Sequence, residues 1–499
     1  MSETQNRSSD KRSSPTQGLG QQEPGLQAPG QGGPGHHGSR NGKDLTTGSV
    51  HRHILKLSAY MAMGAVASMT FQVVDTYFVA QLGTAELAAM AFTFPVVMIL
   101  HAIAIGLGTG VTAVVSRFVG GGSRDSSAGQ DSKAIATDSL ILAVLITGVF
   151  SIIGFMTIDP VFTLLGAEGE VLLLIHDYMD IWYMGIAFMI VPLIGNAVIR
   201  AHGDAKFPSM IMMTAAILNM ILDPILIFGL FGAPRMELEG AALATVLARG
   251  VTFVAALSVL HFRMNALTYE FPTLNRLRNN WSQILNIGLP STATQLIVPV
   301  SSGVLTALIA SFGAVAVAAF GVATRVEMFA LIFMMAASIA MGPFVGQNAG
   351  AGRIDRVRQA LRFTFQASAA YGLMMAVVLA AFGEQVGRIF SDDADVVRLA
   401  AFYLLVVPLS YPVLSVIAIS SQTFNSLAKP MPAMVIGAAK SMLLQVPLAY
   451  AGAALGGIQG VFLSMSLSTV LVSALAYVWI KRTIKQEEDL VGTPEAQAA

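Results

Sequence analysis

The 499 residues include no cysteine. That excludes disulfides, thiol nucleophiles and cysteine metal sites, and leaves the redox compartment unreadable. Charge is scarce too. Asp, Glu, Lys and Arg make up 12% of the chain, about half the ~25% of a soluble protein. What charge there is balances, 29 basic against 29 acidic residues, so no overall field favours a nucleic-acid partner. The signatures of common chemistries are missing as well. There is no HExxH, no GxSxG and no P-loop, and no two histidines stand four apart. Each of those motifs places a metal, a nucleophile or a phosphate in a set geometry. An enzyme is therefore not expected, nor a resident cofactor, and a nucleotide-driven pump is excluded for this chain. No short apolar run follows Met1, so no cleaved leader is expected.

Apolar residues are abundant instead, at 54% of the chain. A membrane span needs about 20 of them in a row. Twelve such stretches are read: about 54–81, 89–116, 135–158, 178–200, 207–231, 239–262, 283–311, 316–345, 360–382, 398–425, 431–454 and 458–480. The expected fold is an all-α polytopic membrane protein, with twelve transmembrane helices in two six-helix lobes related by an internal repeat. Residues 51–262 form the N-lobe, 263–282 a polar inter-lobe linker, 283–482 the C-lobe and 483–499 a tail. Residues 1–50 are rich in Gly, Pro, Gln and Ser and are expected to be a disordered tail, because they cannot bury enough apolar surface to fold. His36-His37 in that tail reads as a solvated pair.

Lys and Arg mark the cytoplasmic loops of membrane proteins. One set of connections carries Arg117, Arg124, Lys133, Arg200, Lys206, Arg263, Arg276, Arg278, Arg353, Arg356, Arg358 and Lys429. The alternate set carries Arg235, Arg388 and Arg398 among seven acids: Glu86, Asp159, Glu168, Glu170, Asp392, Asp393 and Asp395. The first set, the linker and both termini are therefore expected in the cytoplasm, with the bilayer as the surrounding partner.

The halves resemble each other. A shift of 230 residues aligns Leu55 with Leu285, Thr76 with Thr306, Gly83 with Gly313, Gly120 with Gly350 and Asp125 with Asp355. A shift of 223 pairs Lys206 with Lys429, Pro224 with Pro447 and Gly229 with Gly452, and a shift of 220 pairs Gly240 with Gly460. Each repeat has six spans, so both begin on the same side, and an axis along the membrane normal should relate them with a solute path between.

The repeat makes one half a control for the other. Asn219 and Asp223, four apart, share one face of an otherwise apolar helix. A carboxylate in hydrocarbon costs at least roughly 2.5–3.5 kcal/mol and by default serves a function. Asp75 lies seven residues before Leu82, about 10 Å from the outer loop, and Asp223 lies at a similar depth. The repeat partners of Asp75, Asn219, Asp223 and Thr245 are Leu305, Met442, Val446 and Met465. Polar glue would be needed in both repeats, so the asymmetry points to a proton or cation site in the N-lobe alone. Sodium is the alternative ion for the same four residues; protons are favoured, because two neutral side-chain oxygens make a thin shell for a metal. Glu327 and Lys440, both near mid-membrane, pair or line a cavity, and Gln72 and Gln295 are further cavity candidates. Arg249 and Arg325 read as structural, His101 as packing and Asp180 as solvated.

The stretches VDTYFVAQLGTAELAA, LNMILDPILIFG, GAALAT, NIGLPS and GPFVGQNAGAGRID together resemble the multidrug and toxic compound extrusion (MATE) family over about residues 54–482. The resemblance implies a secondary antiporter in the bacterial inner membrane. It would export cationic or amphipathic drugs and other toxic compounds against protons or sodium by alternating access, as a monomer. It matches Asp75, Asn219, Asp223 and Thr245 to that family's N-lobe cation site. Spans seven and ten, which carry acids in some members, have no Asp or Glu here. That is similar to the branch named for a DNA-damage-inducible member. Tyr60 stands where members often have a proline, and its repeat partner is Pro290. A flippase for a lipid-linked saccharide is the alternative, since such proteins resemble this superfold.

Overall fold

In hydrocarbon every backbone N–H and C=O must be satisfied within its own segment, so long apolar runs become helices. The computed structural model describes residues 43–122 and 126–491; His36-His37 and the rest of residues 1–42 lie outside them. The helices are α1 Val50–Val79, α2 Thr84–Gly121, α3 Ser126–Leu164, α4 Gly169–Ala201 and α5 Lys206–Phe228. Next come α6 Glu237–Arg263 and α7 Leu274–Ala310. α8 is two arms, Ala314–Ala330 and Ile332–Gly350, bent by 47°. α9 is Ile354–Phe390 and α10 is Ala394–Ser426.

The last helical stretch, Pro430–Leu490, has 61 residues. At 1.5 Å per residue that is about 90 Å, some three bilayer cores. It breaks at Gly456 and Gly457, where Gly457 has φ 57° and ψ −145°, a conformation open in practice to glycine only. α11 is therefore 430–455 and α12 is 458–491. A Cβ on Gly452 or Gly460 would strike the other's backbone, so two glycines let the arms of this hairpin touch. Ten long apolar helices, the bent α8 and this division give twelve spans among the described residues.

The expected boundaries need three adjustments. α7 begins at Leu274, inside the stretch read as linker, and α12 runs helical to Val491, well into the stretch read as tail. Residues 43–50, read as the end of a disordered tail, are fixed: Leu45 is 1% exposed. The physical reason is the same in each case. Polar partners hold these residues, Asp138 for α7, Lys429 and Arg358 for α12 and Arg356 for residues 43–50, and apolar runs do not reveal such partners.

The lobes exchange the starts of their first helices. One apolar cluster joins α2–α6 with Ile284 and Ile287 of α7. Another joins the second arm of α8 through α12 with Leu45, Val50, Ile54, Leu57 and Met61. The ends of α1 and α7 return to their own halves, with Val79 in the first cluster and Leu305 and Ile309 among C-lobe residues. On the face that carries both described termini, glycines bring the lobes together. A Cβ on Gly120 would strike the Gln347 carbonyl, and one on Gly350 the Arg117 carbonyl. Each pair is the other shifted by the 230-residue repeat. Gly346 meets Ser116, a pair that maps onto itself, so the pseudo-twofold axis passes between them.

Candidate functional site

α5 and α6 pack side by side and carry three of the four residues singled out. Asn219 and Asp223 are both fully buried. The Asn219 side-chain amide donates to Asp223 Oδ1 at 2.9 Å and to Thr245 Oγ1 at 3.3 Å. Asn219 Oδ1 and Asp223 Oδ2 have no hydrogen-bond partner among the described residues. Two buried oxygens without donors, one of them on a carboxyl, suit a proton or a small cation, since buried acceptors are otherwise satisfied. Asp75 on α1 is 8% exposed and has no hydrogen bond to this group among the described residues. Asp75, Asp223 and the Tyr178 hydroxyl of α4 lie within electrostatic range of one another. The structure thus forms one hydrogen-bonded trio with Asp75 beside it.

Asp75 faces an interlobe cavity of about 480 Å³ in the half of the molecule away from the termini. Gln72, Thr76, Thr93, Phe94, Tyr178 and Trp182 line it from α1, α2 and α4, and Arg325 and Met328 line it from α8. Thr245 and Arg249, one turn apart on α6, also reach it. The Arg249 guanidinium lies over the Phe71 ring, 5.6 Å from its centroid. His101 also lines it. The wall therefore carries two arginines against one acid, among four aromatic rings.

Of the four cavity candidates only Gln72 lines this cavity; Glu327, Lys440 and Gln295 do not. Glu327 is turned into the C-lobe, where the Tyr403 hydroxyl donates to it at 2.7 Å. Lys440 sits in a π-helical turn, Ala439–Leu444, and donates to Gln445 at 3.2 Å and Ser468 at 3.5 Å. Glu327 and Lys440 make no ion pair within 4 Å among the described residues. Arg249, Arg325 and His101, read as structural or packing residues, are part of the wall instead. The repeat could have pointed to Arg325: its partner at a shift of 230 is Pro95, so the charge is unmatched, like the acids.

Twelve spans in two swapped repeats around an interlobe cavity, with a buried polar cluster in one repeat, define a membrane transporter rather than an enzyme. The chain belongs to the MatE family, whose profile matches residues 61–225 and 290–451, one segment in each repeat. It is 36% identical over 438 residues to a protein of Shewanella oneidensis named FAD transporter, covering 88% of this chain and 96% of that one. It is 24% identical over 430 residues to the multidrug export protein MepA of Staphylococcus haemolyticus, covering 86% and 92%. Among solved structures, the Vibrio cholerae MATE transporter VcmN in the bent form superposes with a TM-score of 0.83 at 28% identity, over 89% of this chain and 99% of that one. A Pyrococcus furiosus transporter, described by the reverse polarity of its binding pocket, gives 0.79 at 25% identity over 89% and 98%.

Proposed function

We propose that the protein is a secondary exporter of aromatic organic anions, working by alternating access in the bacterial plasma membrane with both termini cytoplasmic. The observation that carries the substrate class is the cavity wall. Arg249 from the N-lobe and Arg325 from the C-lobe face one acid, and Phe71, Phe94, Tyr178 and Trp182 line the same space. Guanidinium groups recognise phosphate and carboxylate, and they stack on aromatic faces. A cavity of this size takes a small organic solute. The relative named FAD transporter supports the same chemistry, so flavin dinucleotide is the first solute to try. The coupling ion is a proton, or sodium as the alternative, held at Asp75, Asn219, Asp223 and Thr245. A second reading, a cationic drug against Asp75, is favoured by that acid in the wall and by the relatives named for multidrug export.

The test is efflux from proteoliposomes under separately imposed proton and sodium gradients. Flavin dinucleotide and a lipophilic cationic dye are compared. The expected result is gradient-driven flavin efflux that falls at least about tenfold, by roughly 1.4 kcal/mol or more, in Arg249→Gln and Arg325→Gln. Dye efflux unaffected by either substitution, with no flavin movement, would establish the second reading instead.

A further inference from the structure

Residues 43–49 cross the termini-bearing face as a bent strap and bond to both lobes. On the N-lobe side the Lys43 amide donates to the His202 carbonyl at 3.0 Å, and its ammonium pairs with Asp204 at 2.7 Å. On the C-lobe side the Leu45 amide donates to Gln347 Oε1 at 3.0 Å. Arg356 of α9, 8% exposed, spends its guanidinium on this strap. It donates to the carbonyls of Gly48 at 2.9 Å, Leu45 at 3.1 Å and Thr47 at 3.2 Å, and to Asn348 Oδ1 at 2.9 Å. Asn348 in turn donates to the Leu45 carbonyl at 3.2 Å. The Leu45 side chain is buried in an apolar cluster of C-lobe residues that Ala205 of the N-lobe also joins.

The strap is also built to hold its shape. Asp44 accepts from the Thr46 amide at 2.7 Å and from the Thr46 and Thr47 hydroxyls, a side-chain turn of the Asx kind. Gly48 then takes φ +73°, which glycine adopts without strain. Burial tends to raise the Asp44 carboxyl, but those bonds and the nearby Arg356 charge hold it below the usual carboxylate range. The side chain is therefore an anion near neutral pH, able to keep accepting.

This contact lies beside the glycine seam that closes the same face, and the cavity opens in the other half. We propose that residues 43–49 are a latch: they staple the two lobes on the termini-bearing face and bias the transporter toward the conformation closed there. The inference rests on the alternating-access reading above. For that face to open, the lobes must separate, and the strap cannot keep both its Lys43 and its Arg356 attachments. Guanidinium–carbonyl bonds in a buried setting are costly to leave unmade, so this linkage sets part of the energy between the two states.

The absence of cysteine makes a direct test clean. Ser116→Cys, at the buried seam, reports opening of the termini face. Phe94→Cys, which lines the cavity, reports the opposite opening. Each is labelled with a thiol reagent in the full-length protein in detergent and in proteoliposomes. Arg356→Gln should raise the labelling rate at Ser116→Cys by roughly tenfold and lower that at Phe94→Cys. Should Arg356→Gln fail to fold, Lys43→Gln, which removes an ion pair whose lysine is 46% exposed, should move both rates the same way by a smaller factor. Unchanged rates in a variant that melts like the parent would overturn the latch. The readout is independent of transport: changed labelling without solute movement would sustain the latch and sink the exporter, and normal efflux with unchanged labelling would do the reverse.

Discussion

At the scale of single residues, the repeat predicts which polar groups matter. Leu305 and Met465, the twins of Asp75 and Thr245, are buried apolar side chains. The C-lobe thus builds the same helices without the polar set. Asp223→Asn and Asp75→Asn are expected to abolish coupled export at normal protein abundance, while Leu305→Ala and Val446→Ala leave it near the parent rate. Equal loss of efflux in both sets at equal expression would sink the N-lobe site. Asn219 and Asp223 were legible in the sequence because an amide and an acid four apart stand out on an apolar helix, and Thr245 because its twin is Met465. The twin test marks Arg325 as unmatched, opposite Pro95, but it does not say where the charge points. A charge on a helix carries no mark of whether it faces a neighbour, a cavity or a lobe interface. Arg249 and Glu327 look alike in sequence, yet Arg249 reaches the cavity and Glu327 is tied to Tyr403.

At the scale of elements, hydropathy located all twelve spans, because backbone satisfaction in lipid leaves helices as the means of crossing. It did not locate what polar bonds decide. The early start of α7 is one case. Arg276, Asn280 and Trp281 on its first turns all converge on Asp138 of α3, at 2.7–3.1 Å, and so extend the helix beyond its apolar run. The α11–α12 hairpin is another, resting on Gly452, Gly456, Gly457 and Gly460. α1 has no proline and runs unbroken from Val50 to Val79, so a bend at Tyr60 is not built into its covalent structure. The hairpin gives a clean prediction. A Cβ at Gly460 meets the Gly452 backbone, whereas one at Gly303 meets nothing within 4 Å. Gly460→Ala should therefore destabilise by about 1–3 kcal/mol through overpacking. Gly303→Ala in α7 should be neutral or stabilising by up to about 1 kcal/mol, from helix propensity. Melting in detergent checks both; a Gly460→Ala protein as stable as the parent would mean that the two arms stand further apart.

At the scale of the whole molecule, the charge of the solute constrains how ion and solute can be coupled. Exchange requires that ion and solute each weaken the other's binding, by the same factor in both directions. For a cationic solute, electrostatics alone supplies this, since both cations want Asp75. For an anion the direct term has the opposite sign. Neutralising Asp75 leaves Arg249 and Arg325 less opposed, which strengthens the hold on an anion. At a separation of about 8 Å and an effective dielectric of about 20 that is roughly 2 kcal/mol. An exporter of anions must therefore overcome this term by a change of shape. The route is at hand: Asp75 on α1 and Asp223 on α5 sit on different helices, and satisfying both with one ion would draw them together. α1 carries part of the cavity wall at Gln72 and Thr76, and at its other end continues from the strap. Ion uptake can in this way alter the wall and the latch through one rigid element. The expected outcome is that flavin dinucleotide binding to the purified protein, followed by calorimetry, weakens about tenfold or more when the coupling ion is supplied by lowering pH or adding sodium. That dependence should vanish in Asp75→Asn and Asp223→Asn. If ion supply tightens binding instead, the direct electrostatic term dominates, and the same four residues would drive ion and anion across together, making the protein a symporter.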